Sequence, residues 1–318
     1  MDITPSSCLV PASPRALRRE MWKPCLLAVA WPAFLLVLPW LHRQVGWWSV
    51  GFMLFPGAFI MNWMALLLHE CWHQYLPAYN GFFYRSFSWM LLADPQIFHL
   101  IHPDHHSLVS TWGDLEVHPF GNIQNHSLKI VNNWLEIILG MVYILLAWHI
   151  VVPRHPRYRF YYRHWRLLVS GLAWSAFFGS VGYIVHRSWG LAPSEIVIPW
   201  AVTFWLGSLL LHHSTLMQHG NLIVEGSLQE RNHWIRSLRA DAGCLEKLFL
   251  MLTRQDQVLH HTMPWLYLRP FRNNLMHVPE NAVLIGFRDY GRIVQDMLLG
   301  RDSSYQSLGL RTPVISDL

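Results

Sequence analysis

The sequence predicts an all-α integral membrane protein: four transmembrane helices in two hairpins, plus one apolar helix that does not cross. Three observations predict it. The chain is 53% apolar and only 14% charged, whereas a soluble domain carries about 25% charged residues. Apolar runs near 25–41, 47–68, 167–186 and 195–212 each approach the roughly 20 residues that cover a bilayer. Arginines gather in loops: Arg154, Arg157, Arg159, Arg163 and Arg166 all fall within 153–166, which marks that loop as cytoplasmic. Eighteen Trp agree with this class, because indoles favour the membrane–water interface.

In chain order, residues 1–24 are polar and hold Arg15, Arg18, Arg19 and Lys23. They look like the basic start of a signal peptide, but no small-residue cleavage site follows the apolar run. The expectation is a cytoplasmic tail ahead of a retained helix. Runs 25–41 and 47–68 are separated only by His42–Gly46, so they form a hairpin. Runs 167–186 and 195–212 form the second. With both the tail and the 153–166 loop on the cytoplasmic side, the apolar run 134–152 begins and ends on one side. It is therefore expected to be a re-entrant or interfacial helix, with Trp134 and Trp148 near headgroup depth. Five or six crossings would instead split the histidine-rich stretches across the membrane. The domain boundaries that follow are a tail (1–24), a membrane domain (25–280) and a cytosolic C-terminal segment (281–318).

The net charge of +5 suits anionic headgroups or an acidic partner, and no basic run has the arrangement expected for nucleic-acid binding. Cys8, Cys25, Cys71 and Cys244 form no C-x-x-C pair and read as reduced thiols without a metal role.

The outlier is histidine. Twenty of them is a large number for a chain in lipid, where ionisable groups are costly and usually functional. They cluster beside the predicted membrane exits. His69-Glu-Cys-Trp-His73 places two imidazoles at i and i+4, on one helix face. His102-Pro-Asp-His105-His106 does so again at i, i+3 and i+4, with Pro103 expected near the helix start. The third cluster is Gln257-Val-Leu-His260-His261, and Gln218-His219 stands just past the last span. Neutral imidazole suits iron, zinc and copper, and several helix turns bearing two or three each can surround more than one metal. Glu70, Asp104, Asp114 and Glu116 lie close enough in sequence to orient imidazoles through their free N–H groups. Read alone, His69-Glu70-x-x-His73 is the H-E-x-x-H pattern of a zinc protease, with Glu70 as general base. That reading leaves His102, His105, His106, His260 and His261 without a task. A non-catalytic metal-binding or transport protein is a further class.

HECWH at 69–73, HPDHH at 102–106 and QVLHH at 257–261 resemble, in order, the three histidine boxes of the membrane fatty acid desaturase superfamily. Gly113-Asp-Leu-Glu116 is similar to the acidic stretch that follows the second box, and Leu216-Met-Gln-His219-Gly220 to the extra ligand element after the last span. The likeness extends over roughly residues 25–270. It implies a four-span fold with a cytosolic helical cap carrying a di-iron site. The implied ligands are His69, His73, His102, His105, His106, His219, His260 and His261, with Gln257 ligating directly or through water. It also implies O₂ as co-substrate, a fatty-acyl substrate, and electrons from a ferredoxin- or rubredoxin-type protein and its reductase, since no His-Pro-Gly-Gly heme motif is present. Desaturation is the expected reaction. Hydroxylation, ketolation or alkene-forming decarboxylation of an acyl chain, alkane or carotenoid shares the same box spacing. His99, one turn before His102, stays open as a ligand, while His212 and His213 read as non-ligands. The short chain points to a bacterial inner membrane, with the site on the cytoplasmic side.

Overall fold

A computed structural model describes residues 22–72, 80–238, 261 and 283–301. The chain is mostly helical. Among the described residues, three helical stretches are long and apolar enough to cross a bilayer: Trp22–His69, His164–Trp189 and Pro193–His219. Their most apolar windows are only 33%, 17% and 33% buried within the protein. Exposed Leu, Val and Phe in such numbers mark a surface that meets a membrane or another protein rather than water.

The first stretch is not a single rod. Helix α1 (Trp22–Val45) ends at Gly46, whose φ of +57° lies in the left-handed region that glycine enters without a Cβ penalty. A 3₁₀ turn (Gly46–Ser49) follows, closed by His42 Nδ1 and Ser49 Oγ at 2.9 Å. A single helical turn and a π turn (Met53–Gly57) then lead into α2 (Ala58–Trp72). Phe34 lies against Gly57, nearly equidistant from the turn, so the two arms run antiparallel as expected for 25–41 and 47–68.

The remaining helices among the described residues are α3 (Asn80–Met90), α4 (Pro95–Leu108), α5 (His126–Leu139), α6 (Met141–Val151), α7 (His164–Trp189), α8 (Pro193–His219), α9 (Leu228–His233) and α10 (Phe287–Leu298). Strands β1 (Arg236–Leu238) and β2 (Val283–Ile285) pair in parallel, Arg236 opposite Val283.

The chain divides into two compact units. The first holds, among described residues, 22–72, 80–100 and 152–211. Its core joins Leu27, Trp31, Leu35 and Leu38 of α1 to Met61, Met64 and Leu67 of α2, Phe83 and Phe87 of α3, and Val181, Val185 and Trp200 of α7 and α8. Buried indoles need a partner for their N–H. Trp31 donates to the Met90 carbonyl at 3.2 Å and Trp200 to the Leu35 carbonyl at 2.9 Å. The second unit holds 101–151, 212–238, 261 and 283–301. There α10 packs Ile293 and Met297 inward with Val283, Ile285, Leu216 and Met217, and Asn133 donates to the Met297 carbonyl at 2.8 Å.

Three expectations change in detail. The 134–152 run is two helices, α5 and α6, broken at Gly140 (φ +60°); at 14 and 11 residues neither spans a bilayer. Trp148, expected near headgroup depth, turns its side chain into the protein: it is 5% exposed and its indole donates to the Leu115 carbonyl at 2.9 Å. Pro103 does not open its helix. Pro95 takes that place, where its missing N–H costs nothing, and Pro103 is tolerated inside α4 at the loss of one bond to the His99 carbonyl.

Candidate metal centre

The centre described here lies wholly in the second unit and is built on α4. His102, His105 and His106 fall at i, i+3 and i+4, so all three rings leave one face. His102 is 1% and His105 5% exposed. After α4 the chain turns through Ser110, a non-glycine residue at φ +60°, and returns two carboxylates to the helix it has left. Asp114 Oδ2 lies 2.8 Å from His105 Nδ1, and Glu116 Oε2 lies 2.7 Å from His102 Nδ1. Asp114 is itself fixed, because its other oxygen accepts the Glu116 amide at 3.1 Å. Each carboxylate holds the proton on Nδ1, so each ring turns the lone pair of Nε2 away from it.

Two further imidazoles arrive from distant segments. His219 is the last residue of α8, still on the helix of the last apolar stretch rather than past it. Its position is held by Arg236, whose buried guanidinium donates to the Gly220 carbonyl at 2.7 Å. His261 is 4% exposed, and its carbonyl accepts from Asn232 at 3.4 Å. The rings of His105, His219 and His261 form a near-equilateral triangle with centroid separations of 5.2, 4.8 and 5.1 Å, and interplanar angles of 67–80°. Each offers a ring nitrogen, and these nitrogens lie within 4.8 Å of one another. Three imidazoles sharing one ion at bonds of about 2.1 Å place their ring centres about 5 Å apart, so the triangle fits a bound ion. Packing alone gives no reason for it: His219 Nδ1 is buried without a hydrogen-bond partner among the described residues, which is costly unless something else engages the ring.

Beside the triangle, His102 Nε2 and His106 Nε2 approach to 3.2 Å with their rings perpendicular, close to the roughly 3 Å between adjacent ligand nitrogens on one ion. Charge supports a cation here. Burial opposes a proton on His105, but Asp114, Glu116 and the Asp114 hydrogen bond outweigh it and raise its pKa from 6.5 to about 9. Burial carries His261 well below its ordinary value. The carboxylates therefore favour positive charge in front of His105, whether proton or metal.

Of the other named residues, His69 is half-buried on α2 in the first unit, its ring edge-on to Phe98 at 6.5 Å. Glu70 follows it on the same helix. Asp104 is buried on α4. His99 is exposed. His212 Nε2 meets Glu136 at 3.1 Å. His213 has both nitrogens engaged: Nε2–H donates to the Ile137 carbonyl at 3.0 Å, and Nδ1 accepts from the Tyr290 hydroxyl at 2.5 Å. His73, Gln257 and His260 lie outside the described residues. Arg236, which its charge groups with Arg231 as a candidate surface for an acidic electron donor, is instead a buried cation on a short strand, a role that no motif marks.

Comparison with protein-family models, with curated proteins and with solved structures finds no match to this chain.

Proposed function

We propose that this chain is a multi-pass membrane oxidoreductase whose histidines hold two iron ions and which uses O₂ to oxidise an unactivated C–H bond of a fatty-acyl lipid, by desaturation. The observation that carries the reading is the triangle of His105, His219 and His261, buried, drawn from three separate segments, and backed by Asp114. One ion is assigned to this triangle. The second is assigned to His102 and His106 together with His69, His73 and His260 of the flanking boxes, and Gln257 directly or through water; that part rests on the sequence pattern. Imidazole suits iron as it suits zinc and copper; iron is chosen here on the three-box pattern of the sequence, and the zinc-protease reading of HECWH leaves the triangle without a purpose.

Bound iron would supply O₂ reduction and C–H oxidation. The chain's residues do the rest. Asp114 and Glu116 fix the tautomers of His105 and His102, and burial of the triangle keeps bulk water from the reacting atoms. The overall balance takes two electrons from a ferredoxin- or rubredoxin-type donor and two protons from solvent. With the two hydrogens removed from the acyl chain, they reduce O₂ to two waters. Hydroxylation would leave one oxygen in the product and form one water. The four apolar helices, α1, α2, α7 and α8, are assigned as four crossings, with the histidines at the cytoplasmic face of a bacterial inner membrane.

The test is metal analysis of the purified protein, followed by mass spectrometry of lipids from a host that supplies reductant. Two iron per chain and a product lighter by two hydrogens are expected, with about one iron and all of the product lost in His105→Ala and in His261→Ala. One zinc per chain, or lipid oxidation that survives those substitutions, overturns the proposal.

A further inference from the structure

The segment 153–166, which follows α6 and runs into the first turn of α7, serves none of the chemistry above. It carries Arg154, Arg157, Arg159, Arg163 and Arg166 and not one carboxylate. It is not a loose loop. Tyr158 and Tyr162 point inward, 5% and 4% exposed, four residues apart across consecutive turns. Gln96 clamps the end, accepting the Arg163 amide at 2.7 Å and donating to the Arg163 carbonyl at 3.4 Å. With the tyrosines turned in, everything else turns out. All five arginines are exposed, and so are Phe160, Tyr161 and Trp165 at 66%, 67% and 61%. The Arg159 guanidinium lies 4.6 Å from the Phe160 ring centre and that of Arg166 5.5 Å from Trp165. Among the described residues, no carboxylate pairs with Arg159, Arg163 or Arg166.

We propose that this segment is a binding surface for anionic phospholipid headgroups. Two properties select that ligand. The segment leads directly into α7, an apolar stretch that is only 17% buried and so lies in the bilayer, which places the segment at headgroup depth. Its surface alternates fixed cations with exposed aromatic rings, the pairing that suits a phosphate layer above an acyl layer. An acidic protein would be met by the arginines but gives no role to three exposed aromatics beside a membrane span. Guanidinium groups also bind phosphate in bidentate fashion, which ammonium groups do not.

The inference rests on membrane embedding alone and stands whether or not the chain binds iron. The experiment reconstitutes the full-length protein into nanodiscs holding equal amounts of phosphatidylglycerol and phosphatidylcholine, then counts the lipids that remain bound by native mass spectrometry. Phosphatidylglycerol is expected to be enriched, with the enrichment falling as salt rises. Arg159→Gln and Arg163→Gln should each reduce it about fivefold, and Arg159→Lys, which keeps the charge but not the bidentate fork, should reduce it less. The salt series on the unaltered chain needs no variant to fold. Equal retention of the two lipids, or enrichment that neither salt nor the Gln variants reduce, overturns the proposal. So does a result in which the Gln variants keep the lipid but lose binding of an acidic ferredoxin-type protein, which would assign the surface to that partner.

Discussion

Asp114 uses both carboxylate oxygens, Oδ2 on the Nδ1 proton of His105 and Oδ1 on the amide of Glu116. In Asp114→Asn one oxygen becomes an NH₂ group. Facing His105, that group favours the tautomer with the proton on Nε2 and withdraws the lone pair needed for a metal. Loss of such an outer partner typically weakens metal binding 10- to 100-fold, so iron should be lost to a chelator at correspondingly lower concentration. Glu116→Gln should act the same way through His102. Retention equal to the unaltered chain in both variants would mean the carboxylates are merely structural. Gly220 makes a second test at this scale. A Cβ there would sit 2.5 Å from the Leu216 carbonyl oxygen, so Gly220→Ala must move the end of α8 that carries His219. It should cost about 1–3 kcal/mol in thermal denaturation and lower iron content as well. The histidine spacing on α4 was legible in the sequence because i, i+3, i+4 fixes a face. The return of Asp114 and Glu116 was not, since it depends on Ser110 adopting a left-handed backbone that few serines adopt.

Helix α8 carries histidines of two kinds, and the difference lies in what the neighbouring elements offer them. His212 and His213 face α5 and α10, which supply Glu136, the Ile137 carbonyl and the Tyr290 hydroxyl. His219, two turns on, faces other imidazoles. His219→Ala should therefore lower iron by about one ion per chain with little further change. Glu136→Ala should instead leave iron content unaltered and cost about 1–3 kcal/mol, the penalty for stranding a buried polar partner. The reverse pattern would make His212 a ligand. In the first unit, the approach of α8 to the α1–α2 hairpin depends on two glycines of unequal tolerance. A Cβ at Gly57 would meet the Thr203 methyl at 2.6 Å and the Phe34 ring at 2.9 Å, whereas one at Gly207 meets the flexible end of Met61 at 2.5 Å. Gly57→Ala should lower the melting temperature clearly and Gly207→Ala much less. The hairpin itself was readable from hydropathy and the short His42–Gly46 link. The break at Gly140 was not: one glycine in an apolar run is compatible with a continuous helix, and the side chains around it decide.

For the molecule as a whole, hydropathy identifies the membrane class because it sums over many residues, and the unburied outer faces of the apolar stretches agree with it. Which side each connection occupies is a different quantity, set by a few arginines, and it decides whether the histidine boxes can share one centre. The proposed arrangement of two membrane hairpins makes a specific demand. Trp48, 90% exposed at the tip of the first hairpin, must lie on the side opposite the arginine-rich segment around His155. In a background with the native cysteines replaced, Trp48→Cys should react with a membrane-impermeant maleimide in intact spheroplasts. His155→Cys should react only after the membrane is opened. Labelling of both from the same side would mean that an odd number of crossings separates α2 from α7. The boxes at 69–73 and 102–106 would then be divided from 257–261 by the bilayer. The His105–His219–His261 triangle makes that outcome physically inconsistent, because three imidazoles within 4.8 Å of one another cannot straddle roughly 30 Å of hydrocarbon. The labelling experiment thus tests the triangle itself, without requiring that the metal, substrate or electron donor be known.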